Sequence, residues 1–333
     1  MKRLLIAIVI LACVWAGFWL SASTGVKSGF KAWFEDRRAQ GWVAEYSDLS
    51  VTGFPNRVDT HFSDLQLADP RTGWAWEAPF FQMLALSYRP NHVIAVWPNK
   101  QLLATPTQKF DITSNSLQAS VILDAGTRLP LNRANLVAET LTLQDRDGQA
   151  TTMTSLRAAV SQDAEAPQTY RFAVESDDFA PPMSFRGLIG ATDTLPRTFS
   201  ALRAQFSVGF DAPWDLDAIE DRRPQPTRLD LSLAEARWGD LEIWLAGQAD
   251  VDANGAMTGK FTIKLRNWRD ILRMAVNSGQ IPQGLGDQME KGLGLLSQLA
   301  GNPNTLDVPL DIRRGVAFLG PIPVGQLPAL VLR

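Results

Sequence analysis

The 333-residue sequence contains one cysteine, Cys13, and two histidines, His61 and His92. A single cysteine excludes an internal disulfide and a cysteine-based zinc site. A metal centre on two histidines would need carboxylates to complete it. Basic residues never run longer than a pair, as in Arg37-Arg38, Arg222-Arg223 and Arg313-Arg314, and the formal net charge is −3. Nucleic acid is therefore not an expected partner, because its binding rests on a basic face that displaces counterions. Reaction signatures are absent too: there is no G-x-S-x-G elbow, no H-E-x-x-H, no G-x-x-x-x-G-K and no G-x-G-x-x-G. Paired carboxylates such as Asp177-Asp178 are uninformative, since the separation that matters to a glycosidase lies in space.

Two acidic stretches resemble calcium loops and fail. Asp250-Val251-Asp252-Ala253-Asn254-Gly255 matches the first six positions of an EF-hand loop, but Phe261 stands where the twelfth position needs a bidentate Glu. The stretch reads as a hairpin turn, and Asp145-Arg146-Asp147-Gly148 reads the same way. Neither a metal nor any other cofactor is expected, and the chain is not expected to be an enzyme. The catalytic alternative is a hydrolase built on His61 or His92, because triad members are gathered by folding rather than by spacing.

What is present begins at the N-terminus. Lys2 and Arg3 precede Leu4 to Leu20, a run without one charged residue. At ~1.5 Å per residue that run makes a helix of roughly 25 Å, close to the lower limit for crossing a bilayer. The preceding positive charges favour a cytoplasmic N-terminus and export of everything after Leu20. Ser21-Ala22-Ser23 offers a cleavage site for a signal peptidase, so a cleaved leader competes with a retained anchor. The length of the run and the aromatics Trp15, Phe18 and Trp19 at its end favour retention, as an interfacial belt would. Ile10-Leu11-Ala12-Cys13 resembles a lipoprotein box, but Val14 to Leu20 stay apolar, and a cysteine within a membrane helix is the preferred reading.

After the anchor, residues 1–23, about 310 residues remain, enough for one large or two ordinary domains. Twenty prolines and 24 glycines punctuate short alternating segments. Examples are 56–62 leading into Leu65-Gln66-Leu67, then 117–123, 136–143, 170–174, 229–233, 241–245 and 260–265. Period-two alternation marks strands with one buried and one wet face. Few helix-length stretches separate them, which argues for an antiparallel meander. The expected fold is mainly β with a few α-helices: a large, curved, meandering antiparallel sheet preceded by one transmembrane helix. Helices are expected over Ser28–Gln40, with Phe30, Trp33 and Phe34 on one side and Gly41 ending it. A second is expected after Asn267, with Asp270 completing a capping box, and a third over about Gly286–Ala300. The segment Arg222-Arg223-Pro224-Gln225-Pro226 is the candidate boundary between an exported region 24–223 and a region 224–333 that continues the same sheet.

The most distinctive stretch is Gly53–Asn99. Gly53-Phe54-Pro55 reads as a turn entering a strand, and aromatic residues crowd the remainder of the stretch. Arg57, Trp74, Trp76, Tyr88, Arg89, His92 and Trp97 form the candidate ligand- or partner-binding set: aromatics against an apolar or sugar ligand, arginines for an anionic group. A packed core with arginines at strand ends is the alternative.

The segments Val51-Thr52-Gly53-Phe54-Pro55-Asn56-Arg57, Ala78-Pro79-Phe80-Phe81-Gln82 and Leu86-Ser87-Tyr88-Arg89-Pro90-Asn91-His92 resemble an uncharacterised bacterial family, domain of unknown function 2125. So do Arg237-Trp238-Gly239, Asp307-Val308-Pro309-Leu310 and Gly320-Pro321-Ile322-Pro323. The resemblance implies an N-terminal anchor and an exported β-rich body; the family has no assigned activity, so no catalytic residues carry over from it. The body is thus expected in the periplasm, held to the bacterial inner membrane by residues 4–20. A looser similarity to AsmA-like envelope proteins implies lipid carriage along an apolar groove in a curved sheet. Three functions stand as expectations. Lipid handling, with phospholipid as partner, requires an apolar groove continuous with the membrane end. An envelope scaffold that binds another envelope protein requires a filled core and an exposed aromatic patch between Trp74 and Trp97. A hydrolase requires polar groups gathered around His61 or His92.

Overall fold

The computed structural model describes residues 1–191, 195–220, 222–299 and 302–332. Among them are eighteen strands, all in antiparallel pairings and assigned to one sheet, and five helices. The expected fold class is thus the observed one. The chain divides into two compact units, residues 1–125 with 134–148 and residues 126–133 with 149–333. The Pro224–Pro226 stretch lies inside the second unit, where it leads into a strand.

The first unit opens with α1 (Lys2–Ala39), one helix of 38 residues. The apolar run and the amphipathic segment expected separately are therefore fused through Ser21–Ser28. This helix is long and apolar enough to cross a membrane, consistent with single-pass anchoring. Its end is well specified. Arg37 and Arg38 occupy the last turn, where positive charge complements the helix dipole. Gly41 takes a left-handed φ of 87°. Its N–H bonds the Arg38 carbonyl at 2.9 Å and the Trp42 N–H bonds the Arg37 carbonyl at 3.0 Å, the paired bonds of a Schellman ending.

Next come β1 (Val43–Glu45), β2 (Asp48–Thr52), β3 (Arg57–Asp69), β4 (Trp74–Leu86), β5 (Arg89–Val96), β6 (Lys100–Ala104), β7 (Lys109–Thr113), β8 (Ser116–Leu123) and β9 (Leu131–Asp145). The expected meander is there, but some of its ribbons are interrupted. Both β1 and β2 pair with β3, both β5 and β6 pair with β4, and β8 and β7 continue outward on β5 and β6.

The second unit contains β10 (Ala150–Gln162), β11 (Thr169–Asp177), α2 (Met183–Leu188), β12 (Ala201–Phe210), α3 (Leu216–Glu220), β13 (Pro226–Trp238), β14 (Leu241–Val251), β15 (Met257–Arg266), α4 (Trp268–Asn277), α5 (Gln283–Leu299), β16 (Thr305–Arg313), β17 (Val316–Leu319) and β18 (Ile322–Gln326). From β10 to β18 each strand pairs with the next. Asp252-Ala253-Asn254-Gly255 is the β14–β15 turn: the Asp252 carboxylate accepts the N–H groups of Asn254 and Ala256, both at 2.9 Å. Asp145-Arg146-Asp147-Gly148 is likewise a turn, with Gly148 at φ 78°.

Asn267 does precede α4, but the expected capping box is not made. Its backbone is left-handed and its side chain makes no cap bond, donating instead to the Asp240 carbonyl at 2.8 Å. A capping side chain needs extended backbone at that position. The third expected helix is α5; its expected end, Ala300, lies outside the described residues.

Candidate functional site

In the first unit α1 lies along β3. Phe34 is 2% exposed and packs with Ala44, Leu49, Phe62 and Leu65. Edge-on ring contacts tie Phe30 to Phe62 at 5.1 Å and Phe34 to Tyr46 at 4.8 Å between centroids, geometry that aromatic quadrupoles favour. Phe62 and Leu65 are three residues apart, yet both enter this core. Asp64 between them takes φ 48°. It lies across from Pro79, which has no N–H to give the ladder. The alternation slips by one residue there, so Trp76 and Phe81, five apart on β4, also share the side that meets the helix.

The helix does not fill that side. A cavity of about 420 Å³ remains between Val26, Gly29, Phe30 and Trp33 of α1 and Phe62, Leu67, Trp76, Phe81 and Met83 of the sheet. Its size falls within the range of small-molecule pockets. Every lining residue is apolar. A Cβ placed on Gly29 would meet nothing within 4 Å, so the absent side chain is part of the space. A hollow of about 570 Å³ elsewhere in the unit is larger but carries Asp64, Glu77, Lys100 and Asp111, and is not a comparable apolar site.

The seven candidate residues separate into groups. Trp76 and Trp97 flank Phe81, with centroids 5.4 and 5.3 Å away. The Trp76 indole donates to Gln101 Oε1 at 2.7 Å. Arg57, Tyr88 and Arg89 gather where β3, β4 and β5 meet: Arg57 pairs with Leu86, and Leu86 with Arg89. Arg57 holds Asp59 at 2.8 Å, and Tyr88 is 61% exposed. Trp74 stands at the other end of β4, 52% exposed. His92 bonds Ser120 Oγ at 2.9 Å across β5 and β8. His61 meets Thr52 Oγ1 at 3.3 Å.

The second unit carries a face that no motif in the sequence singles out. Ala158, Val174, Ala204, Ala234, Leu245, Ile263 and Val308 are successive cross-strand partners from β10 to β16. One residue along, the partners are Arg157, Glu175, Arg203, Glu235, Trp244, Lys264 and Asp307. Successive residues of a strand point to opposite faces. One face is thus an apolar band and the other a ladder of mostly alternating charge, in which opposite charges sit as direct neighbours.

The apolar band is covered only in part. Trp268, Leu272 and Leu293 of α4 and α5 bury Leu306 and Val308. Trp214 and Leu332 pack on the cluster of Tyr170, Val208 and Phe210. Between these covers Ala158, Ala204, Ala234, Leu245 and Ile263 stay half-buried, and Val174 is exposed. The resulting trough, about 380 Å³, is lined by Met153, Leu156, Val174, Leu202, Ala204, Ala234, Ala236, Ile243 and Leu245, among others, Arg203 and Glu235 included.

Glu235 is 3% exposed and bonds both Arg203 and, at 2.5 Å, Arg237. Burial pushes its carboxyl up, but the hydrogen bonds and charges of the two arginines outweigh that and hold it below its ordinary value. Arg203 is shifted up, chiefly by its bond to Glu235. At the far end of β3, Asp69 is likewise held low: burial opposes, while the Arg71 backbone N–H, the Thr72 hydroxyl and the Arg71 guanidinium prevail.

Among known families, the model described as "Uncharacterized protein conserved in bacteria (DUF2125)" matches residues 19–328. No curated protein and no solved structure matches, so the looser likeness to AsmA-like proteins is not shown.

Proposed function

We propose, for a chain that belongs to this uncharacterised bacterial family, a non-enzymatic role in handling lipid at the membrane that holds it. In this reading α1 is retained in the bacterial inner membrane, with the N-terminus cytoplasmic and the β-rich body periplasmic. The positive charges before the apolar run support that orientation. Retention is supported by Trp15 and Trp19, whose indoles bond the carbonyls of Pro55 and Arg57; cleavage after Ser23 would remove both.

The observation that carries the reading is the open trough of the second unit. A sheet normally buries its apolar face under a second layer, and exposed apolar area of this kind marks a binding surface. Here small side chains, Ala204, Ala234 and Ala236, form the floor between larger Val174, Ile243 and Leu245. A floor of alanines leaves the depth that an acyl chain needs, and desolvation supplies the affinity at ~25 cal/mol per Å² of apolar area removed from water. The apolar cavity beneath α1 offers a second acyl-sized space, walled by the helix that enters the membrane. The His61 and His92 rings meet the hydroxyls of Thr52 and Ser120.

The test is native mass spectrometry of the full chain extracted from a bacterial envelope in mild detergent. Phospholipid should co-purify in stoichiometric amount and be lost from Ala204→Trp, which fills the trough while leaving the strand pairing intact. A lipid-free monomer would overturn the reading. A stoichiometric protein partner in place of lipid would favour the envelope scaffold.

A further inference from the structure

Five residues of the β2–β3 turn, Gly53-Phe54-Pro55-Asn56-Arg57, are bound to the apolar half of α1. The Trp15 indole donates to the Pro55 carbonyl at 2.9 Å and the Trp19 indole to the Arg57 carbonyl at 2.6 Å. Phe54 meets the Trp19 ring edge-on at 5.5 Å. Both tryptophans lie inside the apolar run that ends at Leu20. The turn is therefore fixed at the depth of the last turns of that stretch.

Backbone that approaches lipid must have its polar groups paired within the protein. This turn meets that demand at four of its carbonyls. The Gly53 carbonyl accepts the Arg57 N–H at 2.8 Å, and the Asn56 carbonyl accepts the Ser87 N–H at 2.9 Å. Pro55 accepts from Trp15 and also from the Ser87 hydroxyl, and Arg57 accepts from Trp19. Gly53, at φ 104°, is required: a Cβ there would lie 2.6 Å from that of Arg57. Meanwhile the side chains at the tip point outward, Phe54 56% exposed and Tyr88 of the neighbouring β4–β5 turn 61% exposed. Arg89 beside them is exposed as well.

We infer that these two turns are seated in the headgroup layer of the bilayer that α1 crosses, with Phe54 and Tyr88 as interfacial anchors and Arg57 and Arg89 facing lipid phosphates. Aromatic residues favour that layer, and arginine pairs with phosphate in a forked geometry. The inference rests on α1 being a membrane span. It gives the first unit a fixed orientation: β3 runs 13 residues from Arg57 to Asp69, so its far turn at Arg71 stands roughly 40 Å along the strand from the seated one.

The experiment uses the full chain in nanodiscs of phosphatidylethanolamine and phosphatidylglycerol. An environment-sensitive fluorophore is placed on Phe54→Cys, Tyr88→Cys or Arg71→Cys, each in a Cys13→Ser background, and on native Cys13 in the unsubstituted chain. Nitroxide-labelled lipids then report proximity to the bilayer. Labels at 54 and 88 should shift to the blue and be quenched by lipid with a shallow nitroxide, while the label at 71 should not. Quenching at Cys13 without quenching at 54 and 88 would overturn the seated turns and leave the anchor standing. Absence of quenching at Cys13 would remove the anchor and the inference with it. Labels at 54 and 88 that are shielded from water but untouched by lipid quencher would point to a protein cover instead, and would also overturn it.

Discussion

The two units treat an apolar sheet face in opposite ways. In the first unit α1 covers it: Phe34 sinks among Leu49, Phe62 and Leu65, and a space beside Gly29 stays open. In the second, α4, α5, Trp214 and Leu332 cover the margins, and the middle, around Ala204, Ala234 and Leu245, is left to solvent. The hydrophobic effect is the same in both cases. What differs is whether the chain supplies its own cover. A filled face is a core, and an unfilled one is available to a ligand.

That contrast sets the scale of several substitutions. Phe34→Ala should be the most damaging, lowering stability by about 3–5 kcal/mol, the usual loss for a fully buried aromatic; denaturant titration in mild detergent would read it. If it costs no more than a trough substitution, the first face is not filled in the sense described. Acidification comes next. Glu235 is held below its ordinary value of 4.5 by Arg203 and Arg237. A depressed folded value adds stability that is fully present above the ordinary value and is lost as pH falls through the depressed one. The melting temperature should therefore drop on the acid side of 4.5, and Glu235→Gln should flatten that drop by removing the carboxylate.

Gly29→Leu should act in the stabilising direction, by about 1 kcal/mol from helix propensity, because nothing stands where its side chain begins. It should also reduce any lipid held beneath α1, measured by extraction from the purified protein. A similarly small effect belongs to Leu245→Ala: a half-buried side chain forfeits only part of its transfer energy, about 1 kcal/mol. Its lipid content should nonetheless change more than that of Phe34→Ala, which would separate binding face from core.

The strands were readable because a sheet with one wet face writes its period into the sequence, as in Leu229-Asp230-Leu231-Ser232-Leu233 and Lys260-Phe261-Thr262-Ile263-Lys264-Leu265. Where the period slips the pattern misleads. The left-handed Asp64 opposite Pro79 brings Phe62 and Leu65 to one side, which a strict alternation would have parted. The continuity of α1 was hidden by Ser21-Ala22-Ser23-Thr24-Gly25, residues mostly of weak helix propensity that the strong flanking segments carry through. The candidate residues are dispersed for a spatial reason. Thirteen residues of extended chain put Trp74 and Leu86 at opposite ends of β4, so aromatics dense in sequence are spread out in space. The trough was invisible because alternation reports which residues share a face, and says nothing of what lies above it.

The central claim is that the uncovered face of the second unit receives an acyl chain. It is tested most directly by photo-crosslinking the full chain in membranes with a phospholipid carrying a diazirine in its acyl tail, followed by peptide mapping. The account predicts adducts on β11 to β14, at Val174, Ala204, Ala234 and Leu245, that disappear in Ala204→Trp. Adducts confined to residues 4–20 of α1 would contradict it.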